Sequence, residues 1–153
     1  MNPKFQRLKD LLYREWSQES ILLKETSIGQ NEWKEINDDP SRYFNKYIEF
    51  LPIPQKFVWF DEIPAEQRIW RTIEQDDARL ILYKIIATGF LFEDIQAVPQ
   101  AVAMRLVDDV IHEFSLPVLY ICPYFSFSNV QAEERLVIID QQKVLFVLRV
   151  EED

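Results

Sequence analysis

Apolar residues near the start of the chain recur at helical spacing. Over residues 3–18 they follow steps of three and four, the spacing of a helix that buries one face. Asn2 can cap this helix, and Pro3 suits its first turn because the missing N–H has no helical partner there. The apolar stripe consists of Phe5, Leu8, Leu11, Leu12 and Trp16. The pattern predicts a first amphipathic helix.

A second helix is predicted after residue 39. Asp39 can cap it, Pro40 stands at its first position, and Pro52 and Pro54 stop it. Its apolar stripe is Tyr43, Phe44, Tyr47, Ile48 and Leu51.

Residues 20–38 show less regular patterning. ILLKETSI fits a short strand, and residues 29–31 indicate a turn. Trp33 lies in the acidic stretch NEWKEINDD, where no packing stripe is evident, so the sequence predicts an exposed ring. Further along, KFVWF at residues 56–60 fits another short strand, which would place neighbouring rings on opposite faces.

Residues 62–89 are predicted to form two helical pieces. Pro64 can open the first, with Arg68 and Arg71 facing solvent. Its packing residues would be Ile69, Trp70 and Ile73. The pair at 76–77 can cap the second piece, ARLILYKIIAT, although that run also fits a strand.

A third long helix is predicted over residues 98–114, where apolar residues recur every four positions. These are Val98, Val102, Leu106, Val110 and Phe114, and Ala103, Val107 and Ile111 widen the buried face.

The chain becomes strand-like after Pro117. RLVIID and KVLFVLRV flank a turn at Gln141 and Gln142, which predicts a hairpin. Neither segment alternates cleanly with polar residues, so helices should cover both faces of the sheet. The expected fold class is α+β, with residues 1–153 as one domain. An antiparallel sheet, the hairpin plus neighbouring strands, packs against several amphipathic helices. KVLFVLRV is apolar enough to require a central position or a pairing across a dimer.

Composition adds a strong negative charge. The chain has 153 residues, with 17 Lys and Arg against 26 Asp and Glu, giving −9. Such a field disfavours nucleic-acid binding. No apolar run reaches the roughly 18 residues of a membrane span, and no signal-peptide core is present. We therefore expect a cytoplasmic protein, monomeric or homodimeric, that binds neither nucleic acid nor membrane.

Several chemistries lack the residues they need. Gly29 and Gly89 are the only glycines, so no glycine-rich phosphate loop can be written. His112 is the only histidine, and Cys122, the only cysteine, is expected to behave as a small buried hydrophobe. We expect no cofactor, no metal site and no catalytic residue. Adjacent acids such as 76–77 and 108–109 suit helix caps or solvated faces better than catalysis, yet a carboxylate enzyme using Mg²⁺ remains an alternative.

ERLVIIDQQKVLF resembles the strand pair that carries the HxKxxxxD signature of the phospholipase D superfamily. Counting back from Asp140, Glu133 stands at the histidine position and Arg135 at the lysine position. The nucleophile and its phosphate-binding partner would both be absent, so no catalytic role follows.

The sequence thus favours an acidic module that binds a protein partner, expected to be basic. An immunity-protein-like or antitoxin-like inhibitor of a basic toxin or nuclease is the leading hypothesis. Its predicted binding residues are Trp33, Glu35, Asp38, Asp39, Trp59, Asp61 and Glu62. The alternatives are the carboxylate enzyme and a regulatory or scaffolding domain acting as a dimer.

Overall fold

The computed structural model of the chain describes residues 1–51, 67–90, 95–122 and 131–152. The predicted strand KFVWF lies outside these residues. Within them, five α-helices and five strands follow one another. The helices are α1 (Pro3–Glu15), α2 (Gln30–Asp38), α3 (Pro40–Glu49), α4 (Gln75–Ala87) and α5 (Gln100–Ile111). The strands are β1 (Ile21–Ser27), β2 (Arg71–Thr72), β3 (Val118–Ile121), β4 (Gln131–Ile139) and β5 (Lys143–Glu152).

Helix α1 forms as its sequence predicts. Oδ1 of Asn2 accepts a hydrogen bond from the Lys4 N–H at 2.8 Å, which satisfies one of the unpaired donors of the first turn. The helix ends at Glu15, slightly earlier than predicted. Beyond it, Trp16 donates its indole N–H to the Ile86 carbonyl at 2.9 Å and so ties α1 to the end of α4. The buried stripe is Phe5, Leu8, Leu11 and Leu12.

The strands form one antiparallel sheet in the order β1-β5-β4-β3-β2. Strands β4 and β5 make the predicted hairpin, with Gln141 and Gln142 in its turn. The Asp140 N–H closes the turn by donating to the Lys143 carbonyl at 3.1 Å. Because β5 lies between β1 and β4, its apolar run occupies the central position that was one of the two predicted solutions.

Helices cover both faces of this sheet. Alternate residues of β5 enter different cores, with Leu145 and Val147 on one side and Phe146 and Leu148 on the other. The first, which we call the aliphatic core, lies beneath α1, α4 and α5. The second, the aromatic core, lies beneath α2 and α3 and contains Phe44, Trp70, Tyr120 and Phe146. The predicted α+β fold, buried on both faces, is confirmed.

The first helical piece predicted within residues 62–89 is wrong in its described part. Residues 68–70 lie outside regular structure, and Arg71 and Thr72 pair with β3 as strand β2. Arg68, expected in solvent, is buried, whereas Ile69, expected to pack, is 59% exposed. Successive residues of an extended chain point to opposite sides, which explains the reversal. Trp70 is buried as predicted.

The later helices agree better with the sequence. Residues 75–87 are helical rather than extended, and Asp76 and Asp77 lie in the first turn, where carboxylates favour the positive end of the helix dipole. The cap itself is Glu74. In α5 the side chain of Val102 is 50% exposed, because the buried face is centred on Ala103, Leu106, Val107 and Val110. No helix within the described ranges is long and apolar enough to cross a membrane.

Candidate partner-binding surface

The region around Trp33 is helical, which corrects the predicted turn and irregular segment. Residues 30–38 form α2, and the Gly29 N–H donates to the Glu32 carboxylate at 2.9 Å at its start. Ile36 is the buried side chain that seats the helix on the sheet. Trp33 is partly buried and packs against the aromatic core, rather than lying exposed as predicted.

A single residue, Asp39, joins α2 to α3. Its N–H donates to the Glu35 carbonyl at 3.0 Å and ends α2. Its carboxylate accepts from the Arg42 N–H at 3.1 Å and caps α3, with Pro40 in the first turn. Because one residue serves both helix ends, little freedom remains between the two helices.

Aromatic packing fixes α3 on the sheet. The ring of Phe44 lies edge-on to Trp70, Tyr120 and Phe146, with centroid distances of 5.5, 5.1 and 5.8 Å. Tyr47 stacks on Phe146 at 4.9 Å. Edge-to-face and offset-stacked rings are the favoured arrangements of aromatic pairs, so α3 is a firm support for the side chains on its outer face.

A groove of about 280 Å³ runs between α2 and α3. It is lined by Glu35, Asp38, Asp39, Arg42, Tyr43 and Lys46. The Glu35 and Asp38 side chains are exposed, and neither makes a hydrogen bond or ion pair to any part of the chain that the structure describes. Burial is the largest cause of the raised pKa of Tyr43, and the charges of Glu32, Tyr47 and Glu35 add to it in that order.

Trp33 lies away from this groove. It lines a separate hollow of about 580 Å³, together with Leu116 and Gln141. The structure therefore brings Glu35, Asp38 and Asp39 together but separates Trp33 from them. The other predicted binding residues, Trp59, Asp61 and Glu62, lie outside the described residues and stay predictions.

Two basic groove residues were missed in the sequence. Arg42 and Lys46 line the same groove and lie four residues apart on α3, which places them on one face of the helix. That spacing was visible beside the apolar stripe of the same helix. Their presence makes the groove a mixed-charge site with an acidic flank on α2.

The positions that resemble the phospholipase D signature are structural here. Glu133 and Arg135 form a buried ion pair at 3.0 Å. The Asp140 carboxylate accepts from the N–H groups of Gln142 and Lys143 at 2.8 and 3.0 Å, which holds the hairpin turn.

The aliphatic side of the sheet contains a buried cation. The Arg149 guanidinium lies between the rings of Trp16 and Phe90, with its carbon 3.6 and 3.9 Å from their centroids. Nη2 donates to the Thr88 carbonyl at 2.5 Å, whereas Nε and Nη1 have no hydrogen-bond partner among the described residues. Burial lowers the pKa of Arg149 to about 10, although the negative charge of Glu151 opposes the shift. The side chain is still charged at neutral pH.

Other reactive side chains are embedded in the fold. Burial raises the pKa of the Cys122 thiol to about 11, consistent with the predicted buried hydrophobe. His112 Nδ1 lies 2.7 Å from the Asp108 carbonyl oxygen. Within the described ranges, no three His, Cys, Asp or Glu side chains come together as metal ligands.

Comparison with family models, curated proteins and solved structures gives no match to this chain. The chemistry of the groove between α2 and α3 therefore has to indicate what it binds. The groove offers exposed carboxylates that have no partner among the described residues, on a well-packed helix pair beside a partly buried tyrosine, an arrangement suited to binding cationic groups.

Proposed function

We propose that this protein is a binding module that recognises a basic partner protein through the α2–α3 surface, defined as the six residues that line the groove. The observation that carries the proposal is that Glu35 and Asp38 are exposed on a well-packed helix pair and have no hydrogen-bond or ion-pair partner among the described residues. Both side chains are exposed on a helix that the aromatic core holds in place, so an incoming Lys or Arg meets a fixed backbone and only the side chains have to be ordered.

The charge of the whole chain supports the same proposal. A formal charge of −9 attracts a cationic partner over distances comparable to the Debye length, about 8 Å at physiological ionic strength. Complementary charge mainly raises the association rate and selects against acidic partners. Inhibition of a basic toxin or nuclease, in the manner of an immunity protein or antitoxin, is the role that this surface fits best.

The alternative roles have less support. No observation in the described residues favours a metal-dependent carboxylate enzyme. The central position of β5 removes the reason for pairing that strand across a dimer.

The proposal is tested by capturing the partner from the native host and measuring its affinity for charge-neutralised variants. Glu35→Gln with Asp38→Asn should weaken binding by about tenfold or more, because two charge-assisted contacts are lost. The matched control is Asp10→Asn with Glu19→Gln. It removes two exposed carboxylates that do not line the groove and changes the net charge by the same amount as the test variant. Equal weakening in both variants would show that only the overall field matters and would contradict the proposed surface.

The inhibitory role has its own readout. If the captured protein arrests growth when produced alone, co-production of the wild-type chain should restore growth, and the Glu35→Gln, Asp38→Asn variant should restore it less. Full rescue by that variant would count against inhibition through this surface.

A further inference from the structure

Helix α2 separates two concave surfaces of different character. Ile36 faces the sheet, and residues 33 and 35 are about 200° apart around the helix axis at 3.6 residues per turn. Trp33 therefore lines the hollow on one flank, whereas Glu35 lines the acidic groove on the other. A molecule lying across α2 can contact both.

The hollow beside Trp33 presents apolar and amide groups without a free charge. Its apolar lining is Trp33, Leu116 and Val118, and its amide side chains are Gln30, Gln141 and Gln142. The only charged residue in the lining is Asp140. Its carboxylate accepts from the Ser115 N–H and from the Lys143 ammonium, each at 3.1 Å, in addition to the turn bonds described above.

Leu116 at the rim of this hollow is held in an unfavourable state. Its φ of 53° lies in the left-handed region, where the side chain of a non-glycine residue crowds its own backbone. The same side chain is 93% exposed to solvent. Residues held in sparsely populated backbone conformations are concentrated at active sites, ligand clamps and switch regions. A leucine held outward beside a half-buried tryptophan is suited to receive an apolar side chain.

We infer that the basic partner lies across α2 and places one bulky apolar side chain in the hollow between Trp33 and Leu116, while its cations contact Glu35 and Asp38. This inference rests on the proposed function and specifies the partner's chemistry. One flank of α2 carries the exposed carboxylates of Glu35 and Asp38, and the hollow on the other flank carries apolar side chains among amide groups, so the partner segment must carry both cationic and apolar groups. A helix is about 10–12 Å across, which an extended chain spans in about three or four residues. The partner's apolar anchor and its cations are therefore separated by about that interval.

The test uses two synthetic peptides with the same lysine cluster, followed three residues later by phenylalanine in one and alanine in the other. Each is titrated into isotope-labelled protein, and the Trp33 indole and Leu116 methyl resonances are followed by NMR. The phenylalanine peptide should bind about tenfold more tightly, since burial of an aromatic side chain is favourable by that order. It should shift both resonances, whereas the alanine peptide should perturb mainly the α2–α3 groove.

Two variants make the test specific. Leu116→Gly should abolish the advantage of the phenylalanine peptide, while its melting temperature stays the same or rises, because glycine accepts a positive φ without strain. Leu80→Ala removes another exposed leucine, on α4, and should leave the advantage unchanged. A lower melting temperature for Leu116→Gly would show that the backbone of Leu116 is not strained, which would contradict this part of the inference.

The outcomes separate the two proposals. Equal binding of both peptides, still weakened by Glu35→Gln with Asp38→Asn, would refute the anchor hollow and leave the proposed function standing. If the Glu35 and Asp38 substitutions leave the affinity for both peptides unchanged, the proposed surface is refuted, and the inference with it.

Discussion

The two faces of the sheet differ in how they use charge. On the face covered by α1, α4 and α5, some charged side chains pair with those of a neighbouring element, as Arg7 does with Asp109 at 3.8 Å and Arg79 with Asp108. On the face covered by α2 and α3, Glu35 and Asp38 have no such partner among the described residues. Ion pairs within the chain help to hold the helices together, whereas unpaired acids are left available to another molecule.

The two cores beneath these faces also differ in the residues that build them. The aliphatic core is broad and is built from three helices. The aromatic core gathers four rings, Phe44, Trp70, Tyr120 and Phe146, under a short helix pair. Large rings supply much buried area from few residues, so the small α2–α3 unit can be anchored firmly while its outer face stays polar.

Removal of a central ring should have the largest effect. Phe146→Ala is expected to lower the free energy of unfolding by about 3–5 kcal/mol, because its fully buried ring contacts Phe44 and Tyr47. Phe50→Ala is the control, since that ring is 78% exposed and its loss should change stability by no more than about 0.5 kcal/mol. Urea denaturation measures both, and similar losses would show that the aromatic core does not anchor the α2–α3 unit.

Substitution of Arg149 probes a buried cation on the aliphatic side of the sheet. Arg149→Ala should cost about 3 kcal/mol, because Trp16 and Phe90 lose the group packed between them and Glu151 loses its positive neighbour. Arg149→Met should be clearly less harmful, because it fills the space and removes the buried N–H groups of Nε and Nη1, which have no acceptor among the described residues. Comparison of the two variants by chemical denaturation gives the answer. A methionine variant as unstable as the alanine variant would show that the charge, rather than the packing, is what the site needs.

Asp140 should give a pH-dependent effect. Burial alone would raise its pKa, but hydrogen bonds from the Gln142 and Ser115 N–H groups and from Lys143 outweigh burial and lower it. A carboxylate with a depressed pKa stabilises the fold above its unfolded pKa, about 3.9, and this contribution is lost as pH falls through the folded pKa.

Asp140→Asn should therefore cost about 2 kcal/mol at pH 7, and the difference from wild type should narrow below about pH 4. Thermal unfolding at a series of pH values provides the measurement. A gap that stays constant down to pH 2 would mean that the charge of Asp140 does not contribute to stability.

The smallest expected effect distinguishes two adjacent acids on the binding side. Asp39→Ala removes the α3 cap and should cost about 1 kcal/mol. Asp38→Ala should change stability by less than about 0.5 kcal/mol, because its side chain has no partner within the described residues. Denaturation curves of the two variants test the assignment of Asp39 to structure and Asp38 to recognition. Equal losses would contradict that division.

Sequence reasoning succeeded where the signals were local. Helices α1 and α3 carry a capping side chain, a proline and an apolar stripe, and the β4–β5 hairpin has its turn between two apolar runs. Each of these signals is complete within a few residues, so distant parts of the chain need not be known.

Sequence reasoning failed where contacts between distant parts of the chain determine the structure. Arg68 and Trp70 are both buried and lie two residues apart, as in an extended segment. Because arginine is usually an exposed residue, this alternation could not be recognised in the sequence. Helix α2 buries only Ile36 fully, which is too little for a visible stripe, so Trp33 looked isolated. No sequence pattern marks Leu116 either. Its positive φ occurs in the short connection between α5 and β3.

The central position of β5 also affects the order in which the molecule can be completed during synthesis. Strand β1, at residues 21–27, pairs only with β5 among the described strands, and β4 needs β5 along one whole side. Until residues 143–152 have been synthesised, β1 therefore has no partner among the described strands, and an open strand edge is the kind of surface that attracts aggregation and chaperones. The sheet can be completed only when this segment pairs both with β4, which directly precedes it, and with β1, which was made much earlier.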